Sequence, residues 1–167
     1  MIALVRVDNR LVHGQILEAW VPRLRIRCVV VADDEAAASP LAQAAMTLAL
    51  PPELQGSVLP VAQVAYDALS RAPEPVLLLF REVEGLARAA AAGLTPALAP
   101  HVNVGNVHYG AGRRAVTPSV FLSDRELAEL ERLQAAGFDV AARAVPSDAP
   151  AGPAALRERY DAATETG

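Results

Sequence analysis

Residues 76–80 read Val-Leu-Leu-Leu-Phe, and residues 28–32 read Cys-Val-Val-Val-Ala. Both runs are short, wholly apolar and rich in bulky or β-branched side chains. Neither shows the apolar–polar alternation of a strand with one wet face. Strands of this kind are covered on both faces, which is the condition of a parallel sheet flanked by helices. Their surroundings agree: the first is bracketed by Pro75 and Arg81, and the second ends at Asp33-Asp34.

Working outward, the same rhythm extends over the chain. Residues 2–7 form a brief β-branched run closed by Asp8-Asn9-Arg10. Residues 11–24 then carry apolar side chains at helical spacing, with Pro22 making the helix end irregular. Helices are predicted over 40–50, 62–72 and 83–92, the last stopped by Gly93. Strands are predicted over 58–61, over 102–104 where Gly105 breaks the run, and over 115–122 where Pro118 demotes part of it. Ser123-Asp124-Arg125-Glu126 is a capping box opening a helix that Gly137 ends. A strand over 140–145 and a helix over 154–163 complete the chain. About seven strands alternating with about six helices predict an α/β fold. We expect a single doubly wound domain over residues 1–167. Its central sheet would be mostly parallel, of about seven strands, with helices on both faces.

Composition narrows function by exclusion. The chain has 167 residues, 53% of them apolar and 20% charged, with a formal net charge of −4. It contains no lysine, so every cation is arginine, and no basic block occurs. A nucleic-acid partner is therefore not expected. The lone Cys28 excludes an internal disulfide framework and a multi-cysteine metal site. The first residues lack the layout of a signal peptide, and no apolar stretch is long enough to span a bilayer. A cytoplasmic protein is expected.

Doubly wound sheets bind ligands beyond the strand C-termini, at the switch point. The segments to inspect there are 8–15, Asp33-Asp34, Arg81 and 103–114. In the first, Asp8-Asn9-Arg10-Leu11-Val12-His13-Gly14-Gln15 joins a strand to a helix. Backbone N–H groups at a helix N-terminus favour an anion, and Arg10 offers a forked guanidinium. The His13 imidazole is a nucleophile whose tautomer Asp8 can fix, and Gly14 lets a bound oxyanion approach. Alternatively, His13 merely caps or packs beside the helix. In the second loop, Asn103, Gly105 and His108 lie among three glycines and two asparagines. This loop is either a structured part of the site or a turn between strands. Asp33-Asp34-Glu35 reads better as a helix cap than as a metal site, and Trp20 reads as core close enough to His13 to line its edge.

Residues 6–16, Arg-Val-Asp-Asn-Arg-Leu-Val-His-Gly-Gln-Ile, followed by Trp20, resemble the signature of the IIB component of the mannose/fructose/sorbose-type bacterial phosphotransferase system. The likeness continues through Val30–Asp34, Val102–Tyr109, Gly112-Arg113 and 138–148. It implies that His13 takes a phosphoryl group at Nδ1 from a phosphohistidine of a IIA partner. The group then passes to a sugar bound by membrane IIC/IID components. Arg10 falls on the arginine that holds the phosphoryl group, and Asp8 on the first acidic loop residue; Asn9, Leu11, Val12 and Gly14 complete the loop. No cofactor or metal is implied. The protein would be cytoplasmic, working transiently at the inner face of the membrane. Asn9 departs from a frequent aspartate, Asn106 from a frequent glycine and Arg113 from a lysine. A regulatory phosphorelay protein using the same histidine is the alternative.

Overall fold

A computed structural model describes residues 1–163. Its strands are β1 (Ile2–Asp8), β2 (Cys28–Ala32), β3 (Gln55–Leu59), β4 (Val76–Phe80), β5 (His101–Asn106), β6 (Arg114–Thr117), β7 (Val120–Leu122) and β8 (Asp139–Ala142). Six of them form one sheet in the order β3-β2-β4-β1-β5-β8, parallel at every pairing. The run over 115–122 does not join that sheet. Pro118 has no N–H to donate, so the chain folds back at Pro118-Ser119 and makes the antiparallel ribbon β6–β7. The central sheet thus has six strands, with two more in the ribbon.

Period-two alternation sorts the central strands onto two cores. Leu4, Val29, Val31, Leu77 and Leu79 pack with Leu11, Ile16 and Trp20 on one face. Val5, Val7, Val30, Leu78 and Phe80 pack with Val83, Leu86, Leu127 and Leu130 on the other. Connections running toward β3 cover the first face with α1 (Val21–Leu24), α2 (Asp34–Ala37) and α3 (Pro40–Ala49). Those running toward β8 cover the second with α4 (Tyr66–Ser70), α5 (Val83–Ala91), α6 (Asp124–Ala135) and α7 (Pro153–Ala162). Right-handed crossovers require this division. The chain therefore leaves β1 toward one face and the adjacent β4 toward the other, opening the switch-point crevice between them.

Several predicted boundaries shift for local reasons. The helix expected from residue 11 starts only at Gly14, because Leu11 lies in the left-handed region at φ 55° with its side chain buried. Ahead of Pro22 the helix widens into a π-helical turn, Ile16–Trp20, in which the Val21 N–H reaches back to the Ile16 carbonyl. A proline one residue on cannot supply the next helical donor, and a π-turn is a common adjustment. The helix expected over 62–72 shrinks to a 3-10 turn, Val61–Gln63, and α4, since Val61, Val64 and Tyr66 all turn into the core. Gly105 does not break β5. The strand runs through it, and the glycine is needed for packing described below. The Ser123–Glu126 capping box forms as predicted, and Gly93 and Gly137 stop their helices at φ 117° and 106°.

Candidate functional site

Asp8 ends β1 in the middle of the sheet, and its carboxylate is completely buried. Alternation puts Arg6 and Asp8 on the same face as Leu4, beneath the first helix. Asp8 Oδ2 accepts from His13 Nε2 at 2.9 Å and from Arg6 Nη2 at 3.0 Å. Its Oδ1 accepts from the Arg10 backbone N–H at 3.0 Å and from Arg10 Nε at 3.4 Å. Burial by itself raises the Asp8 carboxyl. The hydrogen bond from His13, the charge of Arg6 and the Arg10 backbone N–H outweigh it and hold the group below the ordinary carboxylate range. Asp8 is thus an ionised hub at the C-terminal edge of the sheet.

Its effect on His13 follows. A carboxylate can only accept, so Nε2 carries the proton and Nδ1 keeps its lone pair. The His13 side chain is 15% exposed. That exposure is small, but it leaves the ring in reach of a group arriving from solvent. Directly after it, Ile16 and Leu17 donate to the His13 carbonyl and set the helix start. The helix therefore opens directly after His13, and the free N–H groups of a helix's first turn favour an anion near that end. A Cβ at Gly14 would meet only Glu18 Oε1, at 3.9 Å, so the fold leaves open space there. Val12 is half-buried against the first core, and Leu11 is held in its left-handed turn by an N–H bond to the Asp8 carbonyl.

Arg10 stands over this arrangement. Its side chain is 41% exposed, tied to Asp8 Oδ1 and, through Nη2, to Gln15 Oε1 at 3.1 Å. Both ties are long or solvent-facing, so the guanidinium is preplaced yet able to turn toward an incoming anion.

Asn9 braces the loop across the crevice. Its Nδ2 donates to the Arg81 carbonyl at 2.8 Å and to Glu82 Oε1 at 3.0 Å, while its Oδ1 accepts from the His108 backbone N–H. An aspartate could not make the two donations, so the departure at this position has a structural partner in Glu82. Arg113 extends the chain of contacts, donating to Glu82, to Glu126 and to the His108 carbonyl.

The remaining expected residues divide. Asn103 and Gly105 lie beneath the loop, packed on Arg6 rather than on the rim. Trp20 is also below it, buried, with its Nε1 donating to the Ala144 carbonyl. His108 reaches the site through its backbone; its side chain is exposed. Arg81 touches the loop by its carbonyl, while its guanidinium makes a bidentate pair with Asp33 at 3.0 and 3.1 Å. Asp33 also caps α2, accepting from the Ala36 N–H. Asp34 accepts from the Val61 N–H and from Arg88. Both acids are occupied by structural bonds, and neither bonds to the first loop.

Sequence reasoning gave Arg6 no part in the site. It is fully buried, and its Cζ lies 5.2 Å from the centre of the Trp20 ring. The available signal was the spacing Arg6-Val7-Asp8, which puts a cation and an acid on one side of a central strand.

The family model described as "PTS system sorbose subfamily IIB component" matches residues 2–163. The chain is 29% identical over 150 residues to the mannose-specific EIIAB component of Escherichia coli K12, covering 89% of this chain but only 46% of that protein. It thus spans about half the length of that relative. It is 27% identical over 149 residues to the N-acetylgalactosamine-specific IIB component 1 of the same organism, covering 88% of this chain and 92% of the relative. Among solved structures, the IIBSor domain of the sorbose permease from Klebsiella pneumoniae superposes with a TM-score of 0.83 at 22% identity, covering 95% of this chain and 97% of that one.

Proposed function

The chain belongs to the sorbose subfamily of phosphotransferase-system IIB components, and we propose that His13 is its phosphoacceptor, loaded at Nδ1 by a phosphohistidine of a IIA partner. One observation carries the assignment to this histidine: Asp8 Oδ2 sits 2.9 Å from Nε2, which leaves Nδ1 as the nucleophile. In the transfer, a bond forms from Nδ1 to phosphorus as the donor's N–P bond breaks. The donor imidazole leaves with that electron pair, and the Nε2 proton stays in its bond to Asp8. Imidazolium charge developing on the ring is stabilised by the buried carboxylate. Arg10 and the helix N-terminus hold the transferred oxyanions, so catalysis is positioning and charge compensation.

The loaded group then passes to a sugar carried by IIC/IID permease components. The reading puts the chain in the cytoplasm, meeting the permease transiently at the inner face; no described helix is long and apolar enough to cross a membrane. Both partners approach the edge where Arg10, Val12 and His13 are accessible.

The test is incubation of the chain and its His13→Ala variant with a phosphorylated IIA donor of this subfamily, read by intact-mass spectrometry. One acid-labile phosphoryl group is expected on the parent and none on the variant. Equal labelling of both would refute the assignment.

A further inference from the structure

Arg6 is an expensive way to fill a core. A buried ion pair is often no more stabilising than well-packed apolar residues of the same volume. Yet the fold commits much to it. Nε and Nη2 donate to Asp8 Oδ2 at 3.3 and 3.0 Å. Nη2 also donates to the Ala144 carbonyl at 3.2 Å, and Nη1 donates to the Arg143 carbonyl at 3.1 Å and to Asn103 Oδ1. Every guanidinium N–H is thereby used. Asn103 is itself held by the carbonyls of Ala141 and Arg143, both at 3.2 Å. Gly105 leaves the space. A Cβ there would lie 1.9 Å from Arg6 Cζ and 2.1 and 2.3 Å from its terminal nitrogens.

We propose that Arg6 is a positioning residue for the transfer, fixing Asp8 as a carboxylate acceptor so that His13 presents Nδ1 and not Nε2. This rests on His13 being the phosphoacceptor. The charged groups facing Asp8 are Arg6 from its own strand and Arg10 and His13 from the loop; β5 contributes the neutral Asn103. Arg10 is 41% exposed, which leaves Arg6 as the only fully buried countercharge among the described residues. Without it, burial is opposed by fewer groups and the balance moves toward the protonated acid. A carboxylic acid donates its proton, so it would turn Nε2 into an acceptor and put the imidazole proton on Nδ1, where the lone pair is needed.

The test uses the chain with Arg6→Met, Arg6→Lys and Gly105→Ala, each checked for folding by circular dichroism. Rates of phosphoryl acceptance are measured from pH 6 to 9, and the His13 tautomer is read by 15N NMR. Arg6→Met is expected to accept about 10–100-fold more slowly at neutral pH, taking as the guide the loss of an outer partner that orients a metal-bound imidazole. Its rate should recover as pH rises and Asp8 ionises. Gly105→Ala should do the same with Arg6 still present, because its Cβ displaces the guanidinium. Arg6→Lys should restore the parent pH profile. A parent-like rate and pH profile in folded Arg6→Met would overturn the proposal. Should that variant not fold, the parent spectrum decides: Nε2–H across this range supports the proposal, and Nδ1–H overturns it. A parent that takes no phosphoryl group would fault the acceptor assignment instead, and the tautomer measurement would still judge Arg6.

Discussion

Replacing Asp8 by asparagine keeps the shape of the site and removes its charge. The structure sets the size of the loss. Arg6 has no exposed surface, and among the described residues Asp8 is its only anionic partner. Breaking a buried pair by removing one partner leaves an uncompensated charge, at about 3–5 kcal/mol. In a domain of 150–250 residues each kcal/mol lowers Tm by roughly 2–4 °C, so the expected drop is about 6–20 °C. Arg6→Met should be comparably damaging, since it strands a buried carboxylate together with the carbonyls of Arg143 and Ala144. The double variant removes both charges. It should lose less than the sum of the single losses, by on the order of 1–3 kcal/mol. Urea denaturation of the four chains, followed by circular dichroism, measures this coupling. Additive losses within about 0.5 kcal/mol would show that Arg6 and Asp8 are not one unit and would refute the reasoning. Acid supplies a second check. Asp8 titrates below its ordinary value in the folded chain, so its contribution is fully present above the unfolded value near 4 and is lost as pH falls through the folded value. The stability gap between parent and Asp8→Asn should therefore narrow in acid.

Other changes probe the surroundings. Asn9→Asp should destabilise by about 1–2 kcal/mol at pH 7, because it removes two donations and sets a second carboxylate against Glu82 Oε1; thermal melts at pH 7 measure the deficit. Ser123→Ala removes the side-chain half of a complete capping box and should cost about 1 kcal/mol, a Tm shift of roughly 2–4 °C with phosphoryl acceptance unchanged. Gly137→Ala forces an L side chain to φ 106°, with its Cβ 3.5 Å from Pro96. A loss of about 1–2 kcal/mol in urea denaturation is expected.

The sequence was legible where one local pattern admits one structure. Val76–Phe80 and Cys28–Ala32 are strands to the residue, because an apolar run that short can be satisfied only between two covered faces. The capping box also forms as read. Legibility failed where distant residues decide. Leu11 has helical spacing, but its burial holds it in a left-handed turn before the helix. Gly105 looks like a break until Arg6, almost one hundred positions earlier, is seen to occupy the place of its Cβ. Asp8, Arg10 and His13 could be named from spacing, since five residues of one loop bring them together. Arg6 was given no part, because the Arg6-Val7-Asp8 spacing puts a cation and an acid on one side of a strand without saying whether that side is covered. Only the topology, with β1 between β4 and β5, makes that side interior.

If His13 is the phosphoacceptor, as proposed, that topology gives the two arginines flanking Asp8 different work. Arg6 lies within the sheet and Arg10 lies beyond its end, so one is fully buried and the other 41% exposed. A mobile phosphoryl group needs an exposed cation, which can follow it in and let it go. A fixed carboxylate needs a buried one, whose bonds do not change as the group comes and leaves. If one arginine served both ends, loading His13 would draw it from Asp8 just when the carboxylate must stabilise charge on the imidazole. Under the proposed function, separate cations would let the loop bind and release a phosphoryl group while Asp8 stays as it is. The all-arginine composition suits the division, since a lysine in place of Arg6 would keep the countercharge for Asp8 but could not also reach both carbonyls and Asn103.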